Sequence, residues 1–360
     1  MLRVVLDGSP LRDGRRDAGI GRYVRELSRA LISRADVDAH LSVPPYPLPE
    51  SWLRRYLLAQ PWIVSAAVRR RARLVHGMAS DPVVGWPLER QVVTLHDAAP
   101  WTTHAPPMGS PTWRYLTAQR TRFKRCAAVI GVSETAAREA VEVLGVRRDR
   151  VHVVPEGVGA PFGRAARPDD DALRSKAGAP GRYLLWVGSL RAHDPRKGLD
   201  GLIEALSALG PDAPTLVLAG RSGDEAERVT QGARERSLTV AATDFVDDAT
   251  LAALYRGAQV VVIPSQHEGF GLPLLEALAC GAPVVASSGG NHSSLAGDAA
   301  LLVSPGDVGA LTLALRATLN DPSIGARARD TGPKRAQGFT WERAAERTVA
   351  VYREIAGSFS

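Results

Sequence analysis

Short runs of apolar residues alternate with longer amphipathic stretches along the first half of the chain. A stretch with apolar residues at helical spacing, residues 20–32, follows the first run and predicts a helix. The runs that predict strands are residues 3–6, 73–76, 92–95, 128–132 and 151–154. This alternation indicates a parallel α/β domain.

A second series of the same kind follows a stretch rich in Gly, Pro and Asp, residues 156–180, which is typical of a linker. Its predicted strands are residues 183–187, 215–219, 238–245, 260–264, 284–286 and 300–303. The last stretch, FTWERAAERTVAVYREI, has the pattern of an amphipathic helix.

The two series predict an α/β protein with two Rossmann-like, doubly wound domains that face a central cleft. We expect an N-terminal domain over residues 1–165 and a C-terminal domain over residues 178–338. The closing helix, residues 339–360, is expected to pack back on the N-terminal domain.

Composition agrees with two folded domains. The chain has 360 residues, of which 45% are hydrophobic and 23% are charged, close to the average of soluble proteins. No secretory signal and no apolar run near the roughly 20 residues of a membrane span is visible. Cys126 and Cys280 fit no metal or redox spacing, so we expect buried thiols in a protein of the cytoplasm.

The net charge of +7 is concentrated before residue 160. A basic N-terminal half favours an anionic partner, although an Arg-rich surface without a specific partner has the same composition. Residues 51–76 interleave Trp52 and Trp62 with arginines, namely Arg54, Arg55, Arg69, Arg70 and Arg71. Such a face could rest on an anionic membrane surface, or it could be the solvated side of a crossover helix. No nucleic-acid recognition motif is present, so nucleic acid is not an expected partner.

The stretch 264–287, PSQHEGFGLPLLEALACGAPVVAS, reads as a strand, a glycine loop, a helix and a second strand. Gly269 and Gly271 allow a ligand to lie against the loop backbone, and Pro273 suits the first turn of a helix. The N-terminus of a helix carries a partial positive charge that favours phosphate. In an open α/β sheet, ligands bind at this position, beyond the carboxyl end of a strand.

Two carboxylates, Glu268 in the loop and Glu276 on the first turn of the helix, flank this phosphate site. Carboxylates accept hydrogen bonds from the adjacent hydroxyls of polyols, so the pair suggests a nucleotide sugar, with one carboxylate on the hexose and one on the ribose. The alternative is a capping carboxylate and a solvent-facing glutamate.

The string EGFGLPLLEALACGAPVVAS resembles the nucleotide-sugar signature of family-four retaining glycosyltransferases, which have the GT-B fold. The segments GIGRYVREL, VTLHD, GVSE, VVPEGV, VGSL, RKGL, LAGR, GDAALLVSPGD and FTWERAA stand in the order of that family. The resemblance implies that Glu268 contacts the transferred sugar and Glu276 the ribose. It also implies that the amides of Phe270, Gly271 and Leu272 hold the sugar and the diphosphate.

Lys197 precedes a predicted helix and follows the first strand of the second series. A lysine there can reach a diphosphate and take the place of a metal in stabilising the departing nucleotide. Relatives place an arginine where this chain has Ser189, so Arg191 or Arg196 would substitute. Two solvated basic residues are the alternative.

In the N-terminal half, His96 and Asp97 end an apolar strand. The resemblance implies that His96 contacts the transferred sugar and that Asp97 helps the acceptor, although a lone histidine is often structural. Gly19 and Gly21 fail the dinucleotide fingerprint, because Val24 stands at the last glycine position. In the resembling family their loop closes over the donor phosphate and the acceptor, a role shared here with Arg22.

No histidine and carboxylate set has metal-ligand spacing, so we expect neither a metal nor a cofactor beyond the nucleotide sugar itself. The resemblance suggests guanosine diphosphate mannose first and uridine diphosphate sugars next, with a glycan or lipid-linked acceptor or a small molecule. The expected reaction is front-face substitution with retention, catalysed by His96, Lys197 and Glu268. A phosphorylase, a nucleotide-sugar epimerase and a silent sugar-nucleotide-binding protein are the alternatives.

One stretch departs from the family. Relatives carry a proline and a glutamate after the strand that ends the signature, where this chain reads SGGNHSSLAGDAALL. Asn291, His292 and Ser293 are therefore expected to contact the sugar differently, and no donor preference can be transferred from this loop.

Overall fold

The structure is a computed structural model that describes residues 1–49, 52–103, 105–179 and 181–357, without the side chains of residues 52–56. The chain forms two compact units. Unit 1 comprises residues 1–157 and 341–360, and unit 2 comprises residues 158–340. The expectation for the side chains of Trp52, Arg54 and Arg55 lies outside the described residues.

Unit 1 is built on one parallel sheet of six strands. In chain order its elements are β1 (Leu2–Asp7), α1 (Gly19–Ile32), β2 (Val37–Ser42), α2 (Trp52–Arg69), β3 (Leu74–Gly77), β4 (Gln91–Leu95), α3 (Pro111–Phe123), β5 (Ala128–Gly131), α4 (Glu134–Glu142) and β6 (Val151–Val153). The strand order is β2-β1-β3-β4-β5-β6. Strands β3, β4 and β5 are buried throughout, as expected of a parallel sheet covered on both faces.

Unit 2 repeats this architecture with a second parallel sheet of six strands. Its elements are α5 (Asp170–Lys176), β7 (Tyr183–Val187), α6 (Leu199–Ser207), β8 (Thr215–Ala219), α7 (Asp224–Arg234), β9 (Val240–Asp244), α8 (Asp248–Gly257), β10 (Val260–Ile263), α9 (Leu272–Ala279), β11 (Val284–Ser287), α10 (His292–Ala296), β12 (Leu301–Val303), α11 (Val308–Asn320) and α12 (Pro322–Ala336). The strand order is β12-β11-β10-β7-β8-β9.

The strand order of unit 2 places a topological switch point between β7 and β10. From β7 the chain proceeds outward to β8 and β9, and from β10 it proceeds the other way to β11 and β12. The loops that leave β7 and β10 therefore diverge and leave a crevice between them at the carboxyl edge of the sheet. This crevice is where the glycine loop of the sequence lies.

The last helix, α13 (Trp341–Gly357), belongs to unit 1. Its apolar face is buried, and Trp341 lies edge-on to Tyr23 of α1 with 6.1 Å between the ring centroids. The hydroxyl of Tyr352 is 2.6 Å from Nδ1 of His76, a buried residue of β3. An apolar stripe and a buried hydrogen bond thus tie the end of the chain to unit 1.

The structure confirms the alternation of strands and helices in both halves and corrects some of its details. Strand β2 was not predicted, and helix α5 lies within the stretch predicted as linker. Strand β9 is shorter than the predicted 238–245. Cys126 and Cys280 are both buried and free, as predicted.

Candidate active site

The glycine loop of unit 2 delivers the N-terminus of α9 into the switch-point crevice. Gly271 is the N-cap residue and has φ +102°, a conformation that other residues rarely adopt. Pro273 lies in the first turn, where no intrahelical donor is needed. The amides at the start of α9 therefore face the crevice as a site for an anion.

Phe270 precedes this N-terminus and is buried. Its ring packs edge-on against Phe339 with 6.2 Å between centroids, and its carbonyl accepts a hydrogen bond from Nδ2 of Asn291 at 3.0 Å. The side chain of Phe270 thus anchors the loop, and the backbone of Phe270 remains facing the crevice. Leu272 is likewise buried.

Lys197 and Glu268 meet in the crevice. Nζ of Lys197 donates to Oε1 of Glu268 at 2.6 Å, and the side chains are 27% and 21% exposed, so both are reachable by a ligand. Burial is the largest single influence on the pKa of Glu268 and raises it, but Lys197, His292 and the hydrogen bonds to the carboxylate together outweigh burial, so the pKa lies below its ordinary value. Burial would likewise lower the pKa of Lys197, but the Glu268 carboxylate raises it. Both groups are therefore charged at neutral pH.

The position of Lys197 follows from a tight turn. Pro195–Lys197 forms a 3₁₀ helix, and Gly198 continues it with φ +68°. A Cβ at Gly198 would lie 2.4 Å from the carbonyl oxygen of Pro264, so this turn packs against the end of β10. The amide of Gln266 also donates to the carbonyl of Arg196 at 2.7 Å, which links the two loops beside the crevice.

The other residues predicted near Lys197, namely Ser189, Arg191 and Arg196, are arranged differently from it. The guanidinium of Arg196 binds the carboxylate of Asp194 at 2.9 Å, with Nη2 as donor. Ser189 and Arg191 are exposed. The structure thus brings Lys197 and Glu268 together and holds Arg196 on its neighbouring aspartate.

Glu276 is buried on the second turn of α9, rather than on the first turn that the sequence suggested. The hydroxyl of Tyr255, from α8, donates to Oε2 of Glu276 at 3.1 Å. This bond fixes the orientation of the carboxylate, so the solvent-facing alternative is wrong.

The loop after β11 packs against the glycine loop. The amide of Asn291 donates to the carbonyl of Glu268 at 3.1 Å, and a Cβ at Gly290 would lie 2.3 Å from the same oxygen. His292 is fully buried beside Gly271. The departure from the family pattern at this loop pointed to Asn291 and His292 as sugar contacts, but it did not predict that the loop packs against the glycine loop.

In unit 1, His96 lies at the carboxyl end of β4 with both ring nitrogens engaged. Nε2 is 2.9 Å from the carbonyl oxygen of Met78, and Nδ1 is 3.2 Å from Oε1 of the buried Glu156. Its ring packs edge-on against Tyr23. A contact between either nitrogen and a sugar would therefore require exchange of one of these bonds.

The adjacent Asp97 accepts a hydrogen bond from the amide of Ala99 at 3.0 Å. Gly19 and Gly21 lie within the first turn of α1, and not in the loop before it as predicted. A Cβ at Gly21 would lie 2.1 Å from the carbonyl oxygen of Arg16, so the preceding loop crosses directly over this glycine. The amide of Arg22 donates to Ala18 at 3.1 Å.

A charged cluster that the sequence did not single out lies at the same edge of unit 1. Arg15 binds Asp13 at 2.8 Å and Asp81 at 3.2 Å, and the hydroxyl of Tyr115 donates to Asp81 at 2.6 Å. Burial raises the pKa of the nearby Asp7 to about 6. These residues come from distant parts of the sequence, so no local motif could have revealed them.

Metal-ligand clusters and membrane-spanning helices are both absent from the part of the chain that the structure describes. Within residues 1–49, 52–103, 105–179 and 181–357, no three His, Cys, Asp or Glu side chains form a group that could hold a metal ion. In the same ranges, no helix is both long and apolar enough to cross a membrane.

Comparison with known proteins agrees with this geometry. The model described as "Glycosyltransferase Family 4" matches residues 18–160, and the model described as "Glycosyl transferases group 1" matches residues 181–321. A sucrose-phosphate synthase from Thermosynechococcus elongatus has the same fold, with a TM-score of 0.81 over 99% of this chain and 100% of that one at 23% identity. Anabaena HepE in complex with UDP-glucose matches with a TM-score of 0.72 over 100% of this chain and 99% of that one at 18% identity.

Two curated relatives are similar in sequence. The O-antigen chain mannosyltransferase B of Escherichia coli is 29% identical over 74% of this chain and 71% of its own length. The D-inositol 3-phosphate glycosyltransferase of Kineococcus radiotolerans is 35% identical over 62% of this chain and 56% of its own length.

The fold and the two family models together define a glycosyltransferase with the GT-B fold. The chain belongs to the family-four glycosyltransferases.

Proposed function

We propose that the chain transfers a hexose from a nucleotide diphosphate sugar to a hydroxyl of a glycan or lipid-linked acceptor, with retention of the anomeric configuration. Mannose from guanosine diphosphate mannose is the first donor to test, because the E. coli relative carries a mannosyltransferase name. Uridine diphosphate glucose is the second, because HepE is solved with it. In this proposal unit 2 binds the donor and unit 1 binds the acceptor.

One observation carries the proposal: the Lys197–Glu268 pair lies where the loops after β7 and β10 diverge, beside the N-terminus of α9. The helix amides and Lys197 are suited to a diphosphate, and Glu268 is suited to the hydroxyls of the sugar. Glu276, oriented by Tyr255, is suited to the ribose.

The proposed reaction needs no nucleophile from the protein. The acceptor oxygen forms a bond to the anomeric carbon on the face from which the diphosphate leaves, while the bond from that carbon to the phosphate oxygen breaks. The acceptor proton passes to the departing phosphate oxygen. Lys197 and the α9 amides stabilise the negative charge that develops on the diphosphate, so charge stabilisation supplies the main part of catalysis without a metal.

The proposal also includes that the protein lies at the inner face of the membrane, where a lipid-linked acceptor is located. On α2, Leu57 and Val68 are 63% and 62% exposed, and the guanidinium of Arg69 lies 5.8 Å from the centre of the Trp62 ring. Apolar and basic side chains exposed on one helix are typical of a surface that rests on anionic lipid.

The test is thermal unfolding of the wild type and of Glu276→Ala with GDP, UDP, ADP, GDP-mannose and UDP-glucose, with and without chelator. A ligand at a hundredfold excess over its Kd should stabilise the protein by about 2.7 kcal/mol. We expect stabilisation by one nucleotide and its sugar that persists with chelator and is lost in the variant. Lack of stabilisation by any of these ligands, or stabilisation of Glu276→Ala equal to that of the wild type, would contradict the proposal.

A further inference from the structure

One buried polar atom beside the glycine loop has no partner among the described residues. His292, at the start of α10, is fully buried, and its Nε2 forms no hydrogen bond within the described part of the chain. A buried polar atom without a partner is unfavourable, so such atoms in native proteins call for an explanation. Here the atom lies next to the proposed donor site.

Two contacts fix the direction of the imidazole. Nδ1 is 3.0 Å from the carbonyl oxygen of Ser287. On the opposite side, a Cβ at Gly271 would lie 3.0 Å from Cδ2 and 3.3 Å from Nε2 of His292. The unpartnered nitrogen therefore lies against Gly271, the N-cap residue of α9, beside the proposed donor site.

The loop that leads into His292 is held against the glycine loop by hydrogen bonds from two residues that precede the histidine, Ser287 and Asn291. Asn291 binds the backbone of Glu268 and Phe270 at 3.1 and 3.0 Å. The hydroxyl of Ser287 also donates to the carbonyl of Ser265. The imidazole is consequently a fixed part of the crevice.

The bond that Nδ1 makes decides whether Nε2 carries a proton. A carbonyl oxygen can only accept, so Nδ1 carries the proton and donates to Ser287. Burial is the main cause that lowers the pKa of His292, opposed by Glu268 and assisted by Lys197 and His267, so the ring is neutral at neutral pH. Neutral Nε2 has a lone pair and no proton, so it can accept from a hydroxyl and cannot donate to a phosphate oxygen.

We propose that Nε2 of His292 accepts a hydrogen bond from a hydroxyl of the transferred sugar and helps to select the donor. The inference rests on the proposed function. The sugar is favoured over the ribose because Asn291, the neighbour of His292, binds the backbone of Glu268, the carboxylate assigned to the sugar, whereas Glu276 is assigned to the ribose. The histidine would thus be a specificity-determining residue at the position where the chain departs from its family.

The test compares the Kd of each nucleotide with that of its sugar, using GDP with GDP-mannose and UDP with UDP-glucose in titration calorimetry. His292→Asn keeps an amide that can donate to Ser287 and has no atom at the position of Nε2. We expect affinity for the nucleotide sugar to fall about tenfold, with affinity for the nucleotide alone unchanged. Ser294→Ala, on the exposed side of the same helix, is the matched control and should change neither affinity.

Equal losses for nucleotide and nucleotide sugar, or no loss for either, would overturn the inference alone. A wild type that binds neither pair would overturn it together with the proposed function.

Nitrogen-15 NMR of the wild-type imidazole gives an answer even where His292→Asn does not fold. The Nε2 resonance of His292 should shift on addition of the nucleotide sugar and stay in place with the nucleotide alone, without becoming protonated. A shift of the same size with both ligands, or a shift with neither, would contradict the inference.

Discussion

Lys197 is the residue whose removal separates charge stabilisation from binding. In Lys197→Met the developing charge on the diphosphate loses a cation, and removal of one such stabilising group costs about 100- to 1,000-fold in rate. We therefore expect kcat to fall by about that factor, with a smaller change in the donor KM, in steady-state kinetics. Lys176→Met removes an exposed lysine of the same unit and should leave both parameters unchanged.

The ion pair between Lys197 and Glu268 predicts a pH dependence of the free energy of unfolding. Because the pKa of Glu268 is lowered in the folded protein, its ionised form stabilises the fold above its unfolded pKa of about 4.3, and this contribution is lost as the pH falls through the folded value. Because the pKa of Lys197 is raised, its contribution is present below about 10.4 and is lost as the pH rises through the folded value. Wild type and Lys197→Met should therefore differ most in free energy of unfolding between these limits, as measured by denaturant titrations. A constant difference down to pH 3 would contradict this account.

At this scale the sequence predicted the local arrangement of one continuous motif and could not predict the contacts that form only in the fold. Glu268, Gly271 and Glu276 stand within a single strand–loop–helix stretch, so their neighbourhood is local. Burial of His292 depends on the contact between the loops after two adjacent strands, β10 and β11. That contact is not encoded in the spacing of either loop.

At the scale of elements, the N-terminus of α9 depends on the left-handed conformation of Gly271. In Gly271→Ala the residue is strained at φ +102°, and the new Cβ presses on the His292 ring. We expect the protein to lose about 1–3 kcal/mol of stability and the nucleotide to bind measurably more weakly, since the amides of α9 are displaced. Chemical denaturation and calorimetry measure the two effects.

Gly306→Ala is the matched control for this change. Its φ is +78°, and a Cβ there meets nothing within 4 Å, so the substitution introduces the backbone strain without the contact. Stability should fall while nucleotide affinity stays at the wild-type value. Equal affinities for Gly271→Ala and wild type would show that the anion site does not depend on this N-terminus.

The elements that the sequence missed share a physical cause. Strand β2 reads VDAHLS, and its four middle residues are only half-buried because it is an edge strand, so it lacks a continuous apolar run. Helix α5 has seven residues in a polar segment, too few to show a periodic pattern. The central strands were predicted because both of their faces are covered, which makes every position apolar.

At the scale of the whole molecule, the chain holds two units with separate sheets, and the last helix returns to the first of them. From the amphipathic pattern of the final stretch, the sequence predicted the helix itself. It could not predict the polar contact that accompanies it, in which His76 lies between Tyr352 at 2.6 Å and Thr94 at 2.8 Å. Burial lowers the pKa of His76 to about 3, so the ring stays neutral in this contact.

Loss of one buried hydroxyl in each unit should therefore affect that unit alone. Tyr352→Phe leaves Nδ1 of His76 without its partner in unit 1, and Tyr183→Phe leaves the carbonyl of Leu254 without its 2.7 Å donor in unit 2. A buried polar group left unpaired costs about 1–3 kcal/mol.

In scanning calorimetry we expect each substitution to lower the unfolding temperature of its own unit, with the transition of unit 2 assigned by its upward shift with nucleotide. Tyr352→Phe should keep the nucleotide affinity of the wild type, because the proposed donor site lies wholly in unit 2. One transition that shifts equally in both variants would instead mean that the two cores unfold as a single cooperative body.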